Sequence, residues 1–371
     1  MSTSANGWTG LRLDPLDVLF FRDGRPFDAA NRLKGGLPNP QTLAGALRTA
    51  LLARSGFRRF AEFARQRRED PATDVKEVLL RLGAAPWVVG ARFRGPWLAF
   101  KSAPSEPLLP VPAVWTRDKG NEQNWYHNTP LSAALPGWEH PHGLLPLWRR
   151  GSGGPAKAPA GYLALAEIAR FLKGDTGKPP DLVTEDRLFD HDPRIGIVID
   201  GKSLTAVEGQ LYGIELMALQ RDVCLYAEML PGEGAPRSGE WLPRTMPFGG
   251  EGKYVALEIL PAPASWPHAP ASARSLWLLA TPAFVGSGKP WPAGLPGAPQ
   301  HLKAAASGDP LAVSGWDVAR GGPLATRFAV PAGSVYFVEG DFTPVRESLC
   351  TDDEQVAQGW GFALRGVWKD D

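Results

Sequence analysis

The C-terminal segment 358–368 constrains the fold of this chain most strongly, because three glycines there are interleaved with bulky apolar residues. Glycine permits positive φ angles and lacks the Cβ atom that would hold another chain, or a phosphate, away from main-chain N–H groups. The apolar residues occupy even positions, the period of a β-strand, so one face can pack in a core. The segment predicts either an ordinary glycine-rich β-turn or a strand whose backbone a ligand approaches. Its glycines are Gly359, Gly361 and Gly366, and its apolar residues are Trp360, Phe362, Leu364 and Trp368.

Composition and length predict a folded chain with room for two domains. Of the 371 residues, 43% are hydrophobic and 21% are charged, and a domain commonly takes ~150 residues. The longest apolar run, around Leu276 to Val285, is too short to span a bilayer, and the N-terminus has neither a basic start nor an apolar stretch. Cys224 and Cys350 are too few for a disulfide framework or a four-ligand zinc site. We therefore expect a cytoplasmic protein with no membrane partner.

Charge is segregated along the chain although the net charge is only +1. Residues 1–100 hold 16 lysines and arginines against 9 acidic residues, a net +7, which leaves −6 for the remaining residues. Arginine supplies 28 of the 40 basic residues, and its planar donor fork suits phosphate. The basic front end predicts a polyanion bound at one place, with an acidic remainder facing solvent or a protein partner.

The first elements can be predicted from local signals. Residues Leu11 to Phe21 are rich in Leu, Val and Phe and predict a strand, which ends at the turn formed by Asp23 and Gly24. Asn39 as N-cap and Pro40 at the first helical position predict a helix with an apolar face. The unpaired N–H groups and the dipole at such a helix start favour phosphate.

The remaining pattern indicates an α+β protein, because helices dominate the first half and strands the second without regular βαβ alternation. The charged residues of the predicted helix Phe57–Arg68 are interpreted as a face exposed to solvent rather than a binding site. The middle of the chain, about 102–180, is rich in loops, and glycine and proline are frequent there. Further helices are predicted at Phe57–Arg68, Thr73–Leu82 and Leu163–Leu172, and strands at Arg194–Asp200, Gln210–Leu219, Val223–Leu230, Lys253–Leu260, Arg274–Ala280 and Ser334–Glu339.

Catalytic motifs are scarce. The histidines of His140–His142 lack the carboxylate or cysteine ligands of a metal site. Gly288–Lys289 is similar to a phosphate loop, but Pro290 replaces its Ser/Thr and Ala283 its first glycine. The segment Asp190–Asp192 contains a histidine that could serve as a general base, and its residue types also suit a turn. We therefore predict no catalytic residues, no metal and no cofactor.

Two segments near the N-terminus, 20–27 and 40–50, resemble the opening of the third subunit of the type III-B CRISPR Cmr effector, in the repeat-associated RAMP superfamily. Further matches run in order from residue 11 to residue 368, and none is recognised in the loop-rich segment 102–180. The resembling segments are Phe20–Phe27, Pro40–Ala50, Arg194–Asp200, Glu208–Tyr212, Pro247–Glu251, Thr281–Phe284, Ser314–Asp317, Val330–Phe337 and Gly359–Gly366.

The resemblance implies two ferredoxin-like domains, related to the RNA-recognition fold and sharing one RNA-binding face. They would comprise residues 1–190, with a loop-rich insertion at about 102–180, and residues 191–371, which end in the glycine-rich loop. In the family this subunit is a non-catalytic, RNA-binding component of antiviral defence. It holds the 5′ handle of the CRISPR RNA, docks on the large polymerase-like subunit, has the repeated backbone subunit on its other side, and meets target RNA only indirectly.

The RNA-binding residues expected from the resemblance and from the residue types are basic, glycine or aromatic, or lie at the helix start. Single-stranded RNA needs aromatic or arginine platforms as well as phosphate contacts. For Trp316, the tryptophan of this set, a core position is the favoured alternative role, because tryptophan side chains are usually largely buried. The expected residues are Arg22, Arg25, Arg32, Lys34, Gln41, Thr42, Arg48, Arg194, Gly249, Gly250, Lys253, Trp316, Gly359, Gly361 and Arg365.

Two other functions stay open. Relatives in the superfamily cut CRISPR precursor RNA without metal by using a histidine or a similar base, and His191 or His127 would be the candidates here. A pure protein scaffold is the second alternative, favoured if the basic front end is buried against an acidic partner.

Overall fold

The computed structural model of the protein has two compact units, and each is assembled from three separate stretches of chain. The first unit contains Met1–Pro96, Leu188–Pro263 and Ala312–Arg327, and the second contains Trp97–Arg187, Ala264–Leu311 and Phe328–Asp371. The structure describes residues 7–21, 36–140, 143–149, 154–203, 205–236, 241–285, 301–317 and 321–369.

Six α-helices account for most of the helical structure in these ranges. None of them is long and apolar enough to cross a membrane. Short 3-10 helices occur at Glu185–Arg187 and Val345–Glu347. The α-helices are α1 (Pro40–Arg54), α2 (Phe60–Glu69), α3 (Val75–Arg81), α4 (Pro86–Val89), α5 (Leu165–Leu172) and α6 (Asp353–Gln358).

The strands are numerous and mostly short, and together with the helices they confirm the predicted α+β fold class. They are β1 (Thr9–Pro15), β2 (Arg92–Phe100), β3 (Leu109–Pro110), β4 (Trp115–Asp118), β5 (Trp125–Pro130), β6 (Leu147–Arg149), β7 (Ala156–Lys157), β8 (Tyr162–Leu163), β9 (Phe189–Ile199), β10 (Ala206–Leu219), β11 (Val223–Leu230), β12 (Thr245–Pro247), β13 (Tyr254–Ile259), β14 (Arg274–Leu279), β15 (Leu302–Ala306), β16 (Leu311–Val313), β17 (Trp316–Asp317), β18 (Gly322–Pro323), β19 (Arg327–Ala329), β20 (Val335–Glu339) and β21 (Ala363–Val367).

The start of α1 follows from its sequence. The Asn39 side chain accepts hydrogen bonds from the Thr42 backbone N–H at 2.9 Å and from the Thr42 hydroxyl at 3.1 Å, and Pro40 occupies the first turn. These are the two signals that mark a helix start. The apolar side chains of the helix, Leu43 and Leu47 among them, are fully buried, so the predicted helix is confirmed.

The first unit is organised around an antiparallel sheet in the order β12-β13-β1-β11-β2. Its four main strands are β1, β2, β11 and β13, numbered first to fourth by their order in the chain. Across the sheet they lie in the order fourth, first, third and second, which is the strand order of a ferredoxin-like βαββαβ fold. On β1, Leu11 and Leu13 are fully buried, and Leu13 lies opposite Leu225 on one side and Leu257 on the other. A separate hairpin is formed by β9 and β10.

The second unit repeats this strand order. Its sheet runs β15-β20-β14-β21, and α6 lies in the chain between β20 and β21. The segment 102–180, expected to be a loop-rich insertion, carries a further sheet of short strands in the order β6-β5-β4-β7, the pair β3-β8 and the helix α5. Both units therefore have the ferredoxin-like order that the resemblance implied.

The packing units do not coincide with the consecutive domains 1–190 and 191–371 expected from the sequence. The physical reason is strand pairing: β1 is flanked by β11 and β13, so residues far along the chain complete the N-terminal sheet. The segment 97–187 belongs to the second unit for the same kind of reason, since it packs with the later strands.

Candidate functional site

Phe21 and Gly36, the residues that flank the segment 22–35, lie together in the first unit. The Gly36 backbone N–H donates a hydrogen bond to the Phe21 carbonyl over 3.3 Å. Gly36 is followed three residues later by the N-cap Asn39, so the start of α1 lies close in sequence to this closure. Four expected RNA-binding residues fall within the segment and lie outside the described residues: Arg22, Arg25, Arg32 and Lys34.

Gly249 and Gly250 pack directly against the chain that leads into this segment. The Gly250 N–H donates to the Phe20 carbonyl over 2.8 Å. Gly249 has a φ of 89°, and a Cβ atom there would lie only 2.6 Å from that carbonyl oxygen. The neighbouring Phe248 and Phe21 rings are in edge contact at 5.0 Å. Glycine is therefore required at 249 because the turn touches backbone.

Two of the expected cations already have acidic partners. Lys253 Nζ lies 2.6 Å from Asp17 Oδ2, and this hydrogen bond lowers the pKa of the Asp17 carboxyl, with a smaller contribution from Arg194. Arg194 itself forms an ion pair with Asp192 at 2.7 Å, which raises the pKa of the guanidinium. A phosphate would have to compete with these carboxylates for either cation.

The N-terminal end of α1 is bordered by a glycine from a later stretch of the first unit. A Cβ atom at Gly315 would lie 2.5 Å from Gln41 Nε2, so the absence of a side chain at 315 leaves room for Gln41. The first turn of α1 contains no acidic residue. Trp316 pairs through its backbone with Pro323, and its side chain lies outside what the structure describes. Gln41 and Thr42 therefore stand at a helix start whose field favours an anion.

Arg48 lies farther along α1 and packs inside the first unit. Its guanidinium is 5.6 Å from the centroid of the Phe93 ring, which is itself fully buried in β2. This contact is a cation–π interaction that covers an apolar ring. Arg48 therefore supports the core of the unit in addition to any ligand role.

The glycine-rich tail is buried in the second unit. Gly359, with a φ of 95°, forms the C-cap of α6. Gly361 has a φ of 72°, and a Cβ atom there would lie 2.8 Å from the Cys350 nitrogen. The Gly361 N–H donates to the Pro282 carbonyl over 2.8 Å, and the Phe362 N–H donates to the Thr281 hydroxyl over 2.9 Å. These N–H groups are used inside the protein, which favours a packing role over the ligand approach that we expected.

Arg365 also contacts its own unit. Its Nε donates to the Ala269 carbonyl over 3.0 Å, and its guanidinium lies 5.8 Å from the centroid of the Trp277 ring. The arginine therefore helps to fix the segment before β14 onto the last strand.

The two candidate histidines have different surroundings. His191 Nδ1 lies 2.8 Å from an oxygen of Glu215, whose side chain is buried. His127 lies between Trp115 and Phe171, with ring centroids 5.1 and 6.0 Å away. Across the described ranges no group of three or more His, Cys, Asp or Glu residues is arranged to hold a metal ion.

Some features of the site were not predicted from the sequence. Asp17, the partner of Lys253, gives no local signal, because the two residues meet through the pairing of β1 with β13. The exposed apolar face of β9 does have a signal, the alternation of isoleucines with smaller residues. Ile195, Ile197 and Ile199 on this strand are 81%, 48% and 57% exposed.

Comparison with known proteins gives weak structural likenesses and one family. One solved chain comes from a type III-B Cmr-beta complex bound to cognate target RNA and AMPPnP. It is 17% identical to this protein with a TM-score of 0.48, and the alignment covers 88% of this chain and 86% of that chain. A chain of type III-B Cmr-beta bound to cognate target RNA has 16% identity, a TM-score of 0.49 and the same coverage of 88% and 86%. A chain of the apo state of type III-B Cmr-beta has 11% identity and a TM-score of 0.31, and the alignment covers 68% of this chain and 97% of that chain.

No curated protein matches the chain. The family model described as CRISPR-associated protein (Cas_Cmr3) matches residues 11–368, which is nearly the whole length. This match confirms the resemblance to the third subunit of the type III-B Cmr effector, and the chain belongs to the CRISPR-associated Cas_Cmr3 family.

Proposed function

We propose that this protein is a non-catalytic RNA-binding subunit of a type III-B Cmr effector that holds the 5′ handle of the CRISPR RNA in antiviral defence. The family supports membership in the effector. The observation that carries the RNA role is the hydrogen bond between Gly36 and Phe21, the two residues that flank the basic segment 22–35, just before the α1 N-terminus. The positive end of the helix dipole and lysines and arginines close to it in sequence both favour an anion.

The proposed handle interface is centred on the first unit. It comprises the basic segment, the first turn of α1 and the nearby cations Lys253 and Arg194, which would exchange a carboxylate for phosphate. It leaves out Gly359 and Gly361, whose backbone groups bond within the protein. The large polymerase-like subunit and the repeated backbone subunit are the proposed protein partners, and target RNA would be met only through the assembled complex. No cofactor is part of the proposal.

Replacing Arg22 or Arg25 with alanine should weaken guide binding by the assembled complex without unfolding the subunit. Each lost phosphate contact removes a released counterion, so the slope of log affinity against log salt should fall by about one. The measurement is guide affinity at several salt concentrations, from low salt upward, for the complex built with each variant.

Arg65→Ala is the matched control. Arg65 is an exposed arginine of α2, and it forms an ion pair with Glu69 at 3.4 Å, as expected for a solvated helix face. Its loss should leave both affinity and salt slope unchanged. Unchanged affinity at low salt for both Arg22→Ala and Arg25→Ala would rule out a phosphate role of these two arginines.

The alternative of a metal-independent endoribonuclease is tested at His191. His191→Ala should leave guide maturation and target-RNA cleavage by the complex intact. Stability should decrease by about 1 kcal/mol, because the buried Glu215 loses a hydrogen-bond donor. Loss of either cleavage activity in a complex that still assembles would place the enzyme function first.

A further inference from the structure

A row of side chains crosses one end of the four-stranded sheet of the second unit. Arg274 of β14 lies opposite Glu339 of β20. Lys303 belongs to β15 and Trp368 follows β21, so the row has a member at each strand. These residues lie far apart in the sequence and are brought together only by the strand order of the sheet.

The contacts along this row hold one carboxylate between two cations. Arg274 Nε lies 3.8 Å from one oxygen of Glu339, and Lys303 Nζ lies 3.4 Å from the other. The Arg274 guanidinium is 3.9 Å from the centroid of the Trp368 ring, which is almost fully buried. This cation–π contact with a buried indole restricts the position of the guanidinium.

The same side chains line an open cleft of about 580 Å³, together with the segment 129–132, Leu145 and Lys369. Three cations and one carboxylate give the lining a net charge of +2. The side chains of Arg274, Lys303 and Glu339 are 31%, 38% and 50% exposed, so a ligand can reach them. The volume lies in the range of small-molecule sites, about 300–1,000 Å³.

The chemistry of this cleft suits a phosphate. The planar guanidinium of Arg274 offers two parallel N–H groups, which match phosphate or carboxylate oxygens. Lys303 and Lys369 add two further positive charges, and the Ser132 hydroxyl adds a possible hydrogen-bond donor. Because Glu339 already holds the position between two of the cations, an entering anion must be charged strongly enough to displace it. A phosphate that contacts all three cations satisfies this condition better than a single carboxylate does.

We propose that this cleft binds the phosphate group of a nucleotide, either free or within single-stranded RNA. The proposal does not depend on the handle interface, since every lining residue belongs to the second unit and none belongs to the segment 22–35. Variants at Arg22 or Arg25 should therefore leave phosphate binding in this cleft unchanged.

The test is calorimetric titration of the full chain at low salt with inorganic phosphate, adenosine 5′-monophosphate and a six-nucleotide oligouridylate. Lys303→Gln should weaken binding about tenfold, the usual effect of losing a hydrogen bond to a charged group. Lys369→Gln, at the exposed end of the cleft, should weaken binding in the same direction. Glu339→Gln should tighten it several-fold, because the competing carboxylate is removed.

A second triad in the same unit provides the controls. Glu122 lies between Arg117 at 2.9 Å and Lys157 at 2.5 Å, and Arg117 lies 5.0 Å from the Trp125 ring centroid. Lys157→Gln and Glu122→Gln make the same charge changes as the cleft variants, and they should alter the affinity less than about twofold. Because net charge changes equally in both pairs, any difference reports the cleft itself.

The outcomes separate the two sources of phosphate. Lys303-dependent binding of the oligonucleotide alone supports RNA backbone as the ligand. Lys303-dependent binding of adenosine monophosphate that competes with the oligonucleotide supports a free nucleotide. Absence of binding by all three probes, equal effects of Lys303→Gln and Lys157→Gln, or weaker binding by Glu339→Gln would overturn the proposal.

Discussion

Valine in place of Gly361 should lower the free energy of unfolding by about 4 kcal/mol. Gly361 has a φ of 72°, and a β-branched residue in that region costs about 1–3 kcal/mol. The new Cβ would also lie 2.8 Å from the Cys350 nitrogen and 2.9 Å from both the Cys350 Sγ and the Ser348 Oγ. Overpacking of this kind costs about 1–3 kcal/mol more. At roughly 2–4 °C per kcal/mol, the thermal midpoint should fall by about 10 °C.

Gly56→Val separates backbone strain from overpacking. Gly56 also has a positive φ, 92°, but an added Cβ would meet no atom within 4 Å, so only the strain should appear there. Equal midpoint losses at the two positions would contradict tight packing around Gly361. A near-normal midpoint for Gly361→Val with weakened guide affinity of the complex would instead support RNA contact by the tail.

Glu228→Ala should have a comparable effect in the first unit, about 3–5 kcal/mol. Glu228 is 1% exposed, accepts a hydrogen bond from the Tyr226 hydroxyl at 2.7 Å, and lies 3.6 Å from the buried Arg94. The Arg94 guanidinium stacks 4.0 Å from the Trp8 ring centroid and cannot easily turn to solvent. Removal of one partner of a buried ion pair leaves the other charge uncompensated, which is the costly case.

Glu258→Ala is the control for this pair, because it removes a carboxylate from the same sheet at an exposed position. Glu258 is 55% exposed and lies 3.0 Å from Arg12, and exposed pairs contribute less than about 1 kcal/mol. Chemical denaturation of both variants measures the difference. A loss for Glu228→Ala no greater than that for Glu258→Ala would show that Arg94 is not dependent on its carboxylate partner.

The sequence predicts those elements whose determinants are local. The start of α1 was predicted from Asn39 and Pro40, since capping involves only residues within one turn. Strand β11 was predicted with its observed bounds, Val223–Leu230, because its apolar run stands out between polar turns. The family resemblance added the strand order, which no local pattern specifies.

Elements whose determinants are distant in sequence were predicted less well. Whether Gly361 faces a ligand or the protein depends on Pro282 and Cys350, and neither can be assigned to it from spacing. The short strands around Asp118 also depend on contacts between residues that are distant in the sequence. The Asp118 carboxylate accepts hydrogen bonds from the N–H groups of Gly120 and Gly154 at 2.7 and 3.0 Å. These donors, Gly120 first, keep the pKa of Asp118 below its ordinary value.

The candidate site shows the same division. The α1 N-terminus and the basic character of 22–35 could be predicted, because each depends only on residues that are neighbours in the sequence. The contact of Gly249 and Gly250 with Phe20, and the pairing of Lys253 with Asp17, depend on strands brought together by the sheet. The residue types of these positions were identified from the family, and their physical partners required the structure.

Photocrosslinking of a CRISPR RNA that carries 4-thiouridine in its 5′ handle tests the central claim most directly. In the assembled complex, peptides of this subunit that become attached to RNA can be identified by mass spectrometry. We expect the attached residues to lie in 22–48 and around Gly249 to Lys253, and none to lie between Gly359 and Arg365. Crosslinks confined to the C-terminal tail, with none in 22–48, would contradict the proposed handle interface.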